Sequence, residues 1–152
     1  MGMRTEFLQD LKALAGVPLF FVVIVISYVV GRPVFALQLF VGLVLAYVLT
    51  FGIRTFYFRV RPDKEKYSNY LQRINASSFP SMHAMRASVF ATLLVLFFQN
   101  VLLSVLFVLC ALGVGVSRVL TKRHHASDVI VGWIFGVFVA LFTVWLVARF
   151  IS

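Results

Sequence analysis

At 152 residues the chain has the length of one domain, and 62% of it is hydrophobic against 12% charged. One cysteine, Cys110, excludes an internal disulfide, and three histidines and five acids with no HExxH or CxxC spacing give no support to a metal centre. The net charge of +9 has no nucleic-acid-reading module around it; the cations border apolar runs, which points to lipid or phosphate instead.

The first predicted element is amphipathic. Residues 4–15, RTEFLQDLKALA, set Phe7, Leu8, Leu11 and Leu14 at helical spacing opposite Glu6, Asp10 and Lys12, the pattern of a helix lying at a membrane interface. Uncharged windows then run from Ala13 to Gly31, Pro33 to Ile53, Ala87 to Ser117 and Val129 to Ala148. A bilayer core of ~30 Å takes about 20 apolar residues as helix, so these windows are spans. The first is read as a retained helix, because no small-residue cleavage site follows it and a second span begins at once. Gly31-Arg32-Pro33 predicts a tight turn between them. The third window is too long for one span, and Gln99-Asn100 divides it into a hairpin. Five spans are predicted, near residues 16–31, 34–53, 82–98, 101–117 and 126–150. The fold class is therefore all-α: a single polytopic membrane helix bundle of about five transmembrane helices over residues 1–152, with the amphipathic helix at its start.

Alternating crossings put the end of the second span, the start of the third, the end of the fourth and the start of the fifth on one membrane side. Three polar clumps converge there: RTFYFRVRP with Arg54 and Arg61, FPSMHA with Ser81 and His83, and SRVLTKRHHASD with Ser117, Arg118, His124 and Asp128. Arginine forks match phosphate oxygens and stay charged at any working pH, so Arg54, Arg61 and Arg118 would hold a dianion. Helix N-termini of the third and fifth spans would add backbone N–H groups, and Ser81 a hydroxyl. His124 and Asp128 are four apart; if the fifth helix includes both, the carboxylate sets the ring tautomer and leaves the other nitrogen as nucleophile. His83, from another helix, could protonate a leaving oxygen. Such a set describes phosphoryl transfer through a phosphohistidine, with arginines neutralising charge and no metal or cofactor required. His125, Lys64, Lys66, Arg73, Lys122 and Arg123 read as interfacial residues near headgroups.

The pattern K/R-x6-R-P, P-S-x-H, S-R-x5-H-x3-D, with its three motifs in order between Arg54 and Asp128, resembles the type 2 phosphatidic acid phosphatase (PAP2) superfamily. The resemblance implies an acid-phosphatase-like helical core, with His124 as nucleophile, Asp128 as its partner and His83 as acid. It places Arg54, Arg61, Ser81, Ser117 and Arg118 around the phosphate. Arg54 stands where the family more often has lysine, and Met82 where it usually has glycine. Family members commonly have six spans, against five predicted here. The implied substrates are lipid phosphates, of the phosphatidic acid, phosphatidylglycerol phosphate or undecaprenyl diphosphate type, met at the membrane surface. A lipid phosphotransferase resolved by an alcohol, and a non-catalytic anionic-lipid binder or transporter, are the alternatives. The resemblance implies an extracytoplasmic site. The cations, 12 on the site face against 2 on the other, argue for a cytoplasmic one.

Overall fold

The computed structural model describes residues 16–63 and 67–151. The amphipathic helix predicted over residues 4–15 and the cations Lys64 and Lys66 lie outside the described residues. Within them every regular element is a helix: α1 (Val17–Val29), α2 (Pro33–Phe56), α3 (Tyr70–Ala76), α4 (Met82–Phe98), α5 (Val101–Leu120) and α6 (Ala126–Ile151). Three of these, α2, α5 and α6, are long and apolar enough to cross a membrane, and α1 and α4 are shorter apolar helices.

The punctuation follows local chemistry. Gly31 takes φ +75°, a conformation that costs an L side chain energy, and Pro33 opens α2 with no amide to lose. Gln99 closes α4 in the left-handed region, and the Asn100 side chain then caps α5 by accepting from the Leu103 amide at 3.1 Å. The predicted hairpin therefore forms at its predicted divide. The polar segment also holds a helix that its composition did not announce: α3, capped by Asn69 accepting from the Gln72 amide at 2.8 Å.

Helix α4 packs against α2, α5 and α6. Its buried Met85, Val89 and Leu93 join Phe20, Leu39, Leu43 and Val139 in the main core. Lipid is as apolar as these side chains, so small residues and interhelical hydrogen bonds must set the α4–α6 register. Gly132 and Gly136, one turn apart on α6, do so. A Cβ at Gly132 would lie 2.7 Å from the Ser81 carbonyl, and one at Gly136 would lie 2.5 Å from the Met85 carbonyl. The Ser88 hydroxyl donates to the Trp133 carbonyl at 2.8 Å, and the Trp133 indole donates to the Ala111 carbonyl of α5 at 3.1 Å. This close approach brings the start of α4 beside the start of α6, where the Ser81 amide donates to the Asp128 carbonyl at 3.0 Å.

Candidate functional site

Among the described residues a polar cavity opens between the helix ends. It has a volume of about 400 Å³ and is lined by Arg54, Arg61, His83, Arg86, Arg118 and His124, together with Tyr47, Phe51, Asn75 and Met82. Five of the eight residues singled out from the sequence thus meet at one place, although up to 70 positions separate them. Arg54 ends α2, His83 begins α4, Arg118 ends α5, and His124 lies in the connection just before α6.

His124 is buried, 3% exposed. Its Nδ1 sits 2.6 Å from the Ser78 carbonyl oxygen. A carbonyl can only accept, so Nδ1 carries the proton and Nε2 keeps its lone pair. Burial pulls the imidazole from 6.5 down to about 3, reinforced by the charges of Arg61, Arg54 and Arg118, while the Ser78 hydrogen bond pulls the other way. Neutral His124 with a bare Nε2 is the form a phosphoryl nucleophile needs.

The arginines are anchored in part and open in part. Arg54 donates through Nη2 to the Pro80 carbonyl at 2.9 Å, and reaches the Ile74 carbonyl at 3.4 Å. Arg61 donates through Nη2 to the Asn75 carbonyl. These acceptors include carbonyls of α3's last turn, where unsatisfied oxygens and the helix dipole favour a cation. Arg118 is 6% exposed, and its Nε and Nη1 find no hydrogen-bond partner among the described residues; neither does Nε of Arg54. Guanidinium groups gathered around one cavity suit a polyvalent oxyanion.

Three expected site residues lie outside this lining. The Ser117 hydroxyl donates back to the Val114 carbonyl of its own helix at 2.6 Å. Ser81 caps α4, its amide engaged by the Asp128 carbonyl. Asp128 is fully buried, and one carboxylate oxygen accepts from Arg59 Nη1 at 2.6 Å and the other from the His125 amide at 2.9 Å. The expected Asp128–His124 hydrogen bond is thus replaced by a Ser78–His124 one. The cause is local: α6 starts at Ala126, so His124 precedes the helix and the four-residue spacing does not stack it on Asp128. Asp128 instead reaches back to the His125 amide, half of a capping box.

Arg59, Arg86 and Tyr47 were not singled out from sequence. Arg59 was hidden inside a spacer, although Asp128, the one acid in the second half of the chain, implied a buried counter-cation somewhere. Arg86 stood at the edge of an apolar window, where a lone cation is itself a signal of function. Among the interfacial residues, Arg123 pairs with Asp63 at 3.0 Å, Arg73 sits over the Phe58 ring, and His125 Nε2 lies 3.3 Å from the Val60 carbonyl. Among the described residues no cluster of His, Cys, Asp or Glu could hold a metal ion.

A family model described as the PAP2 superfamily matches residues 35–152. Two curated relatives, each a lipid A 1-phosphatase, come from Rhizobium johnstonii and Rhizobium etli. Each is 38% identical over 72 residues, 47% of this chain. That alignment spans only 29% and 30% of the two relatives. Among solved structures, that of Aquifex aeolicus LpxE matches with a TM-score of 0.79 at 22% identity, over 95% of this chain and 87% of that one. The structure of a transmembrane PAP2-type phosphatidylglycerolphosphate phosphatase from Bacillus subtilis matches with a TM-score of 0.74 at 22% identity, over 98% and 79%. At such identity these two likenesses speak for the fold.

Proposed function

The chain belongs to the PAP2 superfamily, and from that premise we propose that it is a membrane lipid phosphatase working through a phosphohistidine. The protein would be a five-span bundle, α1, α2, α4, α5 and α6, with the polar cavity at one membrane surface. The substrate would be a lipid phosphate monoester or diphosphate, its tail in lipid and its phosphate among Arg54, Arg61 and Arg118. The lipid A 1-phosphatase relatives support a lipid phosphate as substrate.

His124 Nε2 attacks phosphorus in line with the leaving oxygen. The P–N bond forms, the P–O bond breaks, and its electrons stay on the leaving oxygen, which takes a proton from His83. Arginine forks hold the three equatorial oxygens and offset the charge that develops on them. Water then attacks the phosphohistidine, giving its proton to His83, and phosphate leaves with Nε2 restored. Asp128, tied to Arg59, holds the start of α6 and so the backbone that carries His124. Ser81 and Ser117 back the cradle by fixing the ends of α4 and α5.

The observation that carries this reading is His124 itself: buried, with its Nδ1 proton committed to a carbonyl, at the wall of a cavity lined by four arginines and a second histidine. The test is phosphate release from a lipid phosphate panel in detergent, with chelator present, and acid-labile, base-stable labelling of the protein by ³²P-substrate. His124→Asn should abolish both release and labelling, at least about 10³-fold, while binding of the lipid persists. Turnover in that variant would overturn the reading, and label recovered in a glycerol product rather than phosphate would favour the phosphotransferase.

A further inference from the structure

Arg86 is a second, separate claim on the same cavity. It lies on α4, three residues beyond His83 and so on the same helix face. Its side chain is 5% exposed, and it helps to line the polar cavity. Nη1 donates to the Tyr47 hydroxyl of α2 at 2.6 Å, with the guanidinium carbon 5.4 Å from that ring's centroid. Tyr47 orients the fork without neutralising it. Nε is buried and has no hydrogen-bond partner among the described residues. The two carboxylates among those residues are both committed elsewhere, Asp63 to Arg123 and Asp128 to Arg59. A largely buried cation with no carboxylate partner among the described residues is costly unless an anion comes to it.

Its position distinguishes it from the motif arginines. Tyr47, which Arg86 meets, lies about two turns before Arg54 on α2, and Arg86 itself lies about one turn beyond His83 on α4. The pair therefore lines the cavity deeper between the helices than the helix ends that carry Arg54 and His83. A single phosphoryl group held against His124 leaves this end of the cavity to something else.

We propose that Arg86, braced by Tyr47, forms a second anion subsite that takes a second phosphate carried on the leaving group of the substrate. Given the phosphatase reading above, on which this rests, His124 attacks the terminal phosphorus. The bond from that phosphorus to the leaving oxygen breaks, and the departing lipid keeps its remaining phosphate, held by Arg86, with the proton supplied by His83. Two lipid classes present this chemistry: a prenyl diphosphate, with the phosphates joined through one oxygen, and a glycerophospholipid whose terminal phosphate and diester phosphate are separated by a glycerol.

The test compares farnesyl diphosphate, farnesyl monophosphate and dipalmitoyl phosphatidylglycerol phosphate in one detergent, for the wild type, Arg86→Met and Arg86→Lys. Arg86→Met should lower kcat/KM for a two-phosphate substrate about 30-fold more than for farnesyl monophosphate, the effect of one charge-assisted contact to phosphate. Arg86→Lys should recover part of that difference. A loss specific to one of the two-phosphate lipids identifies which spacing the subsite takes. Equal losses on all three substrates, or none, would overturn the subsite. A second readout separates it from the phosphatase reading: calorimetric binding of inorganic pyrophosphate and orthophosphate to the His124→Asn protein. Pyrophosphate preference that Arg86→Met removes, in a chain whose wild type releases no phosphate, would keep the subsite and remove the enzyme. Turnover with no such preference and a flat substrate ratio would do the reverse.

Discussion

Arg59 Nη1 meets the fully buried Asp128 carboxylate at 2.6 Å, and the same arginine's backbone carbonyl accepts from the Ser78 amide at 2.8 Å. One residue thus ties the start of α6 to the segment whose next carbonyl holds the His124 ring. The other Asp128 oxygen is committed to the His125 amide. Asp128→Ala leaves Arg59 and that amide without their acceptor, and should lower stability by about 3 kcal/mol. Arg59→Met leaves that buried carboxylate without its counter-cation and should also cost about 3 kcal/mol. Thermal unfolding in detergent checks both. The double variant should lose clearly less than the sum, the mark of a coupled pair.

His124 gives the fold a pH dependence of definite sign. Its folded value is about 3 and its ordinary value 6.5, so below about pH 6.5 the unfolded chain binds a proton that the folded chain refuses. The stability contributed by the neutral ring is complete above 6.5 and is lost as pH falls towards 3, by about 2 kcal/mol at pH 5. Denaturation profiles at pH 7 and pH 5 should therefore converge in His124→Gln and diverge in the wild type. A bound phosphate dianion would raise the ring's value, so the acid limb should shift upwards when substrate is present.

Gly132 and Gly136 set the spacing of α4 and α6. At Gly136 an added Cβ meets the Met85 carbonyl and the Ser88 side chain, and backbone cannot yield as a flexible side chain would. Gly136→Val should cost about 3 kcal/mol and reduce activity in whatever fraction still folds, because the two helix starts that carry His83 and the His124 loop move apart. Gly52 on α2 is the internal control: a Cβ there meets nothing within 4 Å. Gly52→Ala should be neutral or stabilising by up to about 1 kcal/mol.

Ser117 separates a phosphate ligand from a structural hydroxyl. Because its Oγ donates to the Val114 carbonyl inside α5, Ser117→Ala should change kcat/KM less than about fivefold, while its neighbour Arg118→Met loses at least about 10²-fold. Phosphate-release kinetics on both variants decide the point. Comparable losses would return Ser117 to the phosphate.

Much of this arrangement was readable in the linear chain. Helices were legible because membrane spans announce themselves by length without charge, and Gly31, Pro33, Gln99 and Asn100 mark their ends by known backbone chemistry. Gathering of Arg54, Arg61, His83, Arg118 and His124 was legible because successive apolar helices running up and down bring alternate helix ends to one side. Partner choice was not. The His124–Asp128 spacing carries meaning only inside a helix, and where α6 begins depends on the capping of His125 by Asp128, a tertiary as much as a local event. Arg59 and Arg86 were obscure for a related reason: a cation beside an apolar window looks like a headgroup anchor until the fold shows that it faces inwards. Main-chain acceptors such as the carbonyls of Ser78 and Pro80 have no identity in a sequence at all.

That last point bears on how such a protein is dissected. Since the group that holds the His124 proton belongs to the peptide linkage between Ser78 and Phe79, exchanging the Ser78 side chain leaves it in place, and a scan of substitutions would pass over it in silence. Only backbone chemistry reaches it. Replacing Phe79 with its α-hydroxy analogue turns that linkage into an ester, whose weaker oxygen would loosen the ring and slow transfer without altering any other side chain of the cavity.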